Sequence, residues 1–225
     1  MLHMQHARTG LINKIIHYYR MQIPQISPEL AEETGLHIGD GSMGIYINKN
    51  KLKGLYSLRG HIVDDKEHYQ IKIKSLYKEL YGININLREM SSIGCYGFQI
   101  WSDKLINFKY KILKLPLGKK YNIEIPNQFI KNFSNYVVRG IFDTDGTLYL
   151  ERKNKKLYPR IIIADISNKL MCQINKILRK HKINSTIYIE KKSQKNWNDL
   201  SKLEVRGPDM VRRWFKEIDS SNHKH

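Results

Sequence analysis

Apolar residues at helical spacing alternate along this chain with stretches in which apolar and polar residues take turns, and the two patterns follow a fixed order. Leu11, Ile15, Tyr18 and Tyr19 predict a short helix over residues 10–21. Pro24 and Pro28 interrupt it, and Ser27 has the form of an N-cap for a helix that runs to the glycine of Gly39-Asp40-Gly41. MGIYIN and LYSLRGHI, joined by KNKLKG as the turn, predict a β-hairpin. A helix with Tyr69, Ile73, Leu76, Tyr77 and Leu80 on one face then stops at Gly82. Strands around NINLREM and YGFQIW come next, followed by a helix from Ser102 that carries Leu105, Phe108 and Ile112.

The second half repeats that order. PNQFIKNFSNYVVRGIFDTDG predicts one helix ending at another Asp-Gly pair. Strands TLYLERK and YPRIIIAD, a helix SNKLMCQINKILRKHKI, strands STIYIEK and KLEVRG, and a last helix DMVRRWFKEI complete it. Each half therefore reads αββαββα, and two copies of one unit imply a pseudo-twofold α+β molecule. The expected organisation is an N-terminal extension over 1–28, a first repeat over 29–125 and a second over 126–225.

Gly35 and Gly39 are four residues apart, as are Gly140 and Thr144, so each first helix has a face of small residues that allows a close crossing. Such a crossing brings both helix C-termini, with Asp40 and Asp145, to one point. Helix C-terminal carbonyls carry partial negative charge. Two carboxylates with the Gly39 and Thr144 carbonyls would make an oxygen-lined site for a hard cation, Mg²⁺ or else Mn²⁺ or Ca²⁺. Facing carboxylates disfavour each other's ionisation until a counter-charge arrives. A lone Asp-Gly is more often a solvated turn; two at equivalent places in matching halves point to a metal site. Gly41 and Gly146 are expected to turn the chain sharply into the following strand.

Charge sharpens the picture. The 225 residues include 39 Lys and Arg against 21 Asp and Glu, a formal net charge of +18, which a polyanion would neutralise. A basic surface kept for solubility is the alternative. Cys95 and Cys172 are too few for a disulfide framework and read as buried thiols. No apolar run approaches the roughly 20 residues that span a bilayer. The N-terminus lacks the apolar core and cleavage site of a signal peptide, so the expected location is intracellular, cytoplasmic or nucleoid-associated, with no membrane partner.

ETGLHIGDG (Glu33 to Gly41) and VRGIFDTDG (Val138 to Gly146) resemble the LAGLIDADG motif of homing endonucleases. The second copy matches at Gly140, Ile141, Asp143, Asp145 and Gly146; the first has His37 and Ile38 in place of the usual Ile and Asp. Extending over roughly residues 29–217, the resemblance implies a saddle of two four-stranded antiparallel sheets. It implies a monomeric, intron-encoded enzyme that cuts both strands of DNA at a long, asymmetric site. Asp40 and Asp145 would be catalytic and metal-binding. Lys120, or alternatively Lys119, would stabilise transition-state charge, with no matching GKK in the second half. His61 and Asp165 fall where the family has solvent-organising polar residues, although the plainer reading of His61 is an unpaired surface histidine.

Alternation along such sheets directs Tyr46, Asn48, Ser57, Arg59, Arg88, Gln99 and Trp101 of the first half toward DNA. In the second half it directs Thr147, Tyr149, Glu151, Lys153, Arg160, Tyr188, Glu190, Lys192, Lys202, Glu204 and Arg206 outward. Leu148, Leu150, Ile187, Ile189, Leu203 and Val205 are expected to face inward. Two rivals share the fold: an RNA maturase acting on a host intron, and a DNA-binding regulator that does not cut.

Overall fold

The computed structural model describes residues 21–192 and 198–225. The helix expected over residues 10–21 lies, apart from Met21, outside the described residues. The first repeat runs α1 (Pro28–Asp40), β1 (Gly41–Asn48), β2 (Lys51–His61), α2, β3 (Arg88–Met90), β4 (Cys95–Trp101) and α3. Helix α2 starts as Lys66–His68, widens into a π-turn at Tyr69–Ile73 and continues as Lys74–Tyr81; α3 starts as Asp103–Asn107 and ends in a π-turn at Phe108–Ile112. After a short α4 (Asn127–Ile130), the second repeat runs α5 (Ser134–Asp145), β5 (Gly146–Lys153), β6 (Lys156–Asp165), α6 (Asn168–Lys180), β7 (Thr186–Glu190), β8 (Leu200–Arg206) and α7 (Pro208–Glu217).

Local chemistry sets the boundaries. Ser27 Oγ accepts from Leu30 N and Pro28 opens α1, while Gly82 closes α2 in the left-handed region at φ 66°. Both first hairpins turn on two residues with positive φ, Lys49-Asn50 (49° and 58°) and Asn154-Lys155 (49° and 62°), the twist that two-residue hairpins need. The first turn is therefore much tighter than KNKLKG, and β2 begins at Lys51.

Each repeat forms a four-stranded antiparallel sheet, ordered β1-β2-β4-β3 in the first and β5-β6-β8-β7 in the second. The sheets bury Met43, Tyr56, Leu58 and Phe98, and Ile161, Ile163, Leu203 and Val205, in one continuous apolar core. Between the sheets α1 and α5 cross at backbone contact. A β-carbon on Gly35 would lie 2.2 Å from Val137 O, and one on Gly140 would lie 2.2 Å from Glu32 O, so neither position admits a side chain. In the first core, Lys109 donates to both Glu33 oxygens at 2.7 Å, and Tyr77 and Tyr81 donate to the same carboxylate at 2.5 and 3.0 Å. Lys109 and Glu33 are fully buried, so they neutralise one another where water cannot.

Several expectations are corrected. The helix expected from Pro126 to Asp145 is two helices, broken between Ile130 and Ser134. The π-turn at the end of α3 turns Ile112 outward, 55% exposed, and Leu113 takes the core position. Leu150 and Ile189, expected to face inward, are exposed, at 58% and 53%. Cys172 is exposed and Cys95 half-buried. Among the described residues, no helix is long and apolar enough to cross a membrane.

Candidate metal centre and nucleic-acid interface

The small-residue faces of α1 and α5 decide where their C-termini go. A β-carbon on Gly39 would meet Thr144 Oγ1 at 2.0 Å and Asp145 Oδ2 at 2.9 Å, so the Asp145 carboxylate lies directly over the residue before Asp40. Asp40 Oδ2 accepts from Tyr69 OH at 3.2 Å. Burial, then the charges of Asp145 and Asp65, push the Asp40 carboxyl up to about 7. Burial also pushes Asp145 up to about 6, with Lys120 opposing and Asp165 adding to the rise. The crossing thus holds two carboxylates with less counter-charge than they need.

Gly41 and Gly146 have ordinary extended backbone, φ −78° and −87°. Close approach, and not a left-handed turn, is what demands glycine: a β-carbon on Gly41 would meet His37 Nδ1 at 2.3 Å, and one on Gly146 would meet Phe142 Cδ2 at 2.1 Å.

Lys120 is half-buried at the end of α1, where its Nζ donates to the carbonyls of Ile38 and Gly39, both at 2.6 Å. Burial lowers its pKa, while Asp145, Asp165 and Asp40 raise it. Lys119 is turned away, its Nζ 5.3 Å from the Tyr121 ring. The second repeat has a counterpart that its sequence does not announce. Lys224, in the segment after α7, donates to Thr144 O at 3.2 Å and to Asp65 Oδ1 at 2.9 Å. The basic feature is therefore present at both helix ends, contrary to the expected asymmetry. Residues after α7 place it by folding back over α5. Ser220 and Ser221 donate to the buried Asp143 carboxylate at 2.6 and 2.7 Å, Asn222 donates to Asp143 O and Asp65 Oδ1, and His225 stacks on Phe142 at 4.1 Å.

Asp165 sits at the end of β6 and faces Lys120 and Asp145 electrostatically. Gly41 pairs with Leu58 as Gly146 pairs with Ile163, so Gly60 is the first-repeat equivalent of Asp165. Its missing side chain leaves room for Asp65, whose Oδ2 would lie 2.6 Å from a β-carbon there. Asp65 thus supplies the carboxylate that β2 lacks, whereas His61 is exposed and paired with Asp64 at 2.9 Å. Asp65 follows His61 by four residues in a connection that reads as the start of a helix, so periodicity gave no sign of it.

Among the described residues no group of three or more His, Cys, Asp or Glu side chains is disposed to hold a metal ion. The donor set is Asp40, Asp145 and the Gly39 and Thr144 carbonyls, each carbonyl also meeting a lysine ammonium. These are hard oxygens, and the raised carboxyl pKa values mark a place where added positive charge is favourable, so the residues fit a divalent cation.

Strand register puts Tyr46, Asn48, Ser57, Arg59, Gln99, Trp101 and Arg88 on the sheet face opposite the first core. It puts Thr147, Tyr149, Glu151, Lys153, Arg160, Tyr188, Glu190, Lys202, Glu204 and Arg206 on the equivalent face of the second sheet. Lys192 lies just past β7 and pairs with Glu190, as does Lys202. Ser57 and Glu204 are buried within these faces, at 4% and 2% exposure, while Tyr46, Trp101 and Tyr188 stand out from them.

Residues 132–219 match the family model of a LAGLIDADG-like domain. The chain is 26% identical over 174 residues to a DNA polymerase of Thermococcus hydrothermalis, covering 76% of this chain and 10% of the polymerase. It is 28% identical over 195 residues to the ATP-dependent DNA helicase Hel308 of Methanocaldococcus jannaschii, covering 82% of this chain and 15% of the helicase. The chain thus spans only a small part of either curated relative. Among solved structures it resembles I-DmoI in complex with DNA and Mn, with a TM-score of 0.58 and 17% identity over 87% of this chain and 98% of that one. The LAGLIDADG meganuclease I-AabMI bound to uncleaved DNA gives a TM-score of 0.56 and 12% identity over 88% of this chain and 86% of that one. At such identities the likeness is one of fold.

Proposed function

The chain carries a LAGLIDADG-like domain on the fold of the LAGLIDADG homing endonucleases, and on that premise we propose that it is a divalent-metal-dependent endonuclease cutting double-stranded DNA at a specific site. The observation that carries this reading is the meeting of Asp40 and Asp145 at the α1–α5 crossing, with a lysine at each helix end. A bound cation of the Mg²⁺, Mn²⁺ or Ca²⁺ type would supply a polarised water and charge neutralisation at the phosphodiester. Asp40 and Asp145 would hold the cation. Lys120 and Lys224 stand beside them, able to donate to phosphate oxygens as charge develops there. The charges of Asp145, Asp165 and Asp40 oppose the lowering that burial imposes on Lys120, and Asp65 accepts from Lys224 and so fixes its position.

The outward sheet faces bring donors and acceptors to the base edges: Arg and Lys suit guanine, Gln and Asn suit adenine. Their compositions differ between the repeats, so the site that a single chain reads is asymmetric. The surplus of basic residues in the composition supplies phosphate contacts along a long duplex. An intron-encoded origin fits the same reading.

The test is a randomised duplex library incubated with Mg²⁺ or with chelator, the cut ends then being sequenced. Cleavage of both strands at one motif with short 3′ overhangs is expected with metal only. Asp40→Asn and Asp145→Asn should each abolish it while gel-shift affinity persists. Sequence-specific binding without cleavage under any divalent metal would instead identify a regulator on this fold.

A further inference from the structure

On the outward face of the second sheet two arginines stand directly opposite one another, Arg160 on β6 and Arg206 on β8. Like charges at paired positions destabilise a sheet unless something lies between them. Glu204 does so: its Oε1 accepts from Arg160 Nη1 at 2.8 Å and its Oε2 from Arg206 Nη2 at 2.6 Å. Glu151 accepts from the other Nη of Arg160. Glu204 is 2% exposed although it lies on the face turned from the core, so it is sealed beneath the two guanidinium groups. Burial opposes its ionisation, and the hydrogen bonds from Arg206 and Arg160 outweigh burial and keep it a carboxylate.

The two arginines are not equivalent. Arg160 is held on both sides by Glu204 and Glu151, and its side chain is 19% exposed. Arg206 is held at one Nη, and its side chain is 59% exposed. A guanidinium fixed at one corner, with its remaining N–H groups directed to solvent, is pre-organised for bidentate pairing and loses little rotamer freedom on binding. Guanine O6 and N7 are the base-edge acceptors that such a fork matches. Glu204, buried beneath the two guanidinium groups that its oxygens accept from, is out of reach of a cytosine amino group.

The first sheet has no buried carboxylate between paired arginines; there Gln99 Oε1 accepts from Arg88 Nη2 at 2.6 Å. Leu58 pairs with Phe98 as Ile163 pairs with Leu203, so the counterparts of Arg160, Glu204 and Arg206 are Leu55, Gln99 and Trp101. The same row is charged and tied together in one repeat and largely apolar in the other.

We propose that Arg206 is a specificity-determining residue that reads a guanine in the half-site lying under the second sheet, with Glu204 as the positioning residue that sets its rotamer and Arg160 as the clamp on Glu204. The equivalent place in the other half-site, under Leu55 and Trp101, carries no such requirement. This rests on the DNA-binding part of the reading above.

The experiment is selection of bound duplexes from a randomised library in Ca²⁺, with wild type, Arg206→Ala, Arg206→Lys and Glu204→Gln, each checked by its melting curve. Wild type should select a long motif with a fixed G·C pair in one half. Arg206→Ala and Arg206→Lys should lose roughly 5- to 150-fold of preference at that one position and keep the rest of the motif. Arg206→Lys should retain its affinity for non-specific duplex, since its charge is kept. Glu204→Gln, which keeps one acceptor oxygen but can no longer satisfy both guanidinium groups, should weaken the preference at the same position and at no other. Failure of wild type to select any motif would remove the DNA-binding reading itself. A wild-type motif left unchanged at every position by Arg206→Ala, in a protein that melts normally, would overturn the role of Arg206 alone. A Glu204→Gln motif identical to wild type would overturn the role of Glu204.

Discussion

Replacing Asp40 by asparagine should make the metal-free protein more stable, not less. Asparagine keeps the size of the side chain and an oxygen that can accept from Tyr69, but it removes the charge. The Asp40 carboxyl is raised from 3.8 to about 7, so the folded chain holds a proton there more tightly than the unfolded chain does. Below pH 3.8 both states are protonated and there is no cost; the cost grows between 3.8 and about 7 and is complete above that. At about 1.36 kcal/mol per pH unit the full penalty is about 4 kcal/mol, and partial solvent contact brings it to about 2–4 kcal/mol. For a chain of this size that is roughly 5–15 °C in melting temperature. Melting curves in chelator should show Asp40→Asn above wild type by that margin near pH 8 and level with it below about pH 4. Added Mg²⁺ should raise the wild-type curve at the higher pH and leave the variant where it is. A variant that melts at or below wild type at the higher pH would mean that the Asp40 carboxylate is neither buried nor crowded by like charge, and the packing described at the crossing would be refuted.

Three further outcomes follow from the same packing. Gly35→Val would put side-chain atoms where Val137 O is 2.2 Å from the first of them, so urea unfolding should show a loss of at least about 3 kcal/mol; a loss below about 1 kcal/mol would contradict the close crossing. Lys224→Met should slow cleavage roughly 10²- to 10³-fold and change duplex affinity by less than about threefold; equal losses in both would reduce the residue to a binding contact. Lys109→Met would strand the Glu33 carboxylate among Tyr56, Tyr77 and Tyr81 and should cost about 3–5 kcal/mol in urea unfolding, with Glu33→Gln added to it restoring part of the loss.

The sequence made legible whatever obeys a local period. Both αββαββα units, the Ser27 cap, the Gly82 stop and the outward faces of the strands follow from spacing alone. The four-residue spacings of Gly35 with Gly39 and of Gly140 with Thr144 foretold that two helices would cross, and the crossing accounts for Asp40 and Asp145 being neighbours. Features that depend on the chain returning from a distance were not legible. Ser220, Asn222 and Lys224 sit in a polar segment without periodicity, and their purpose appears only where that segment meets Asp143 and Asp65. Asp65 looked like the start of a helix because the vacancy it fills is made by Gly60 across a turn. Glu204 is expected on the DNA-facing side, since alternation gives a residue's side of the sheet but not the two arginines that cover it. The π-turn that rotates Ile112 outward breaks the 3.6-residue period by which it was placed in the core.

The most direct measurement is a Mn²⁺ titration followed by electron paramagnetic resonance on wild type, Asp40→Asn, Asp145→Asn and the double variant. If the two carboxylates share one centre at the α1–α5 crossing, either single substitution should remove most of the tight binding, and the double variant should look little different from each. Single variants that each keep half of the wild-type binding, with the losses adding in the double variant, would show two independent carboxylates and contradict a shared site.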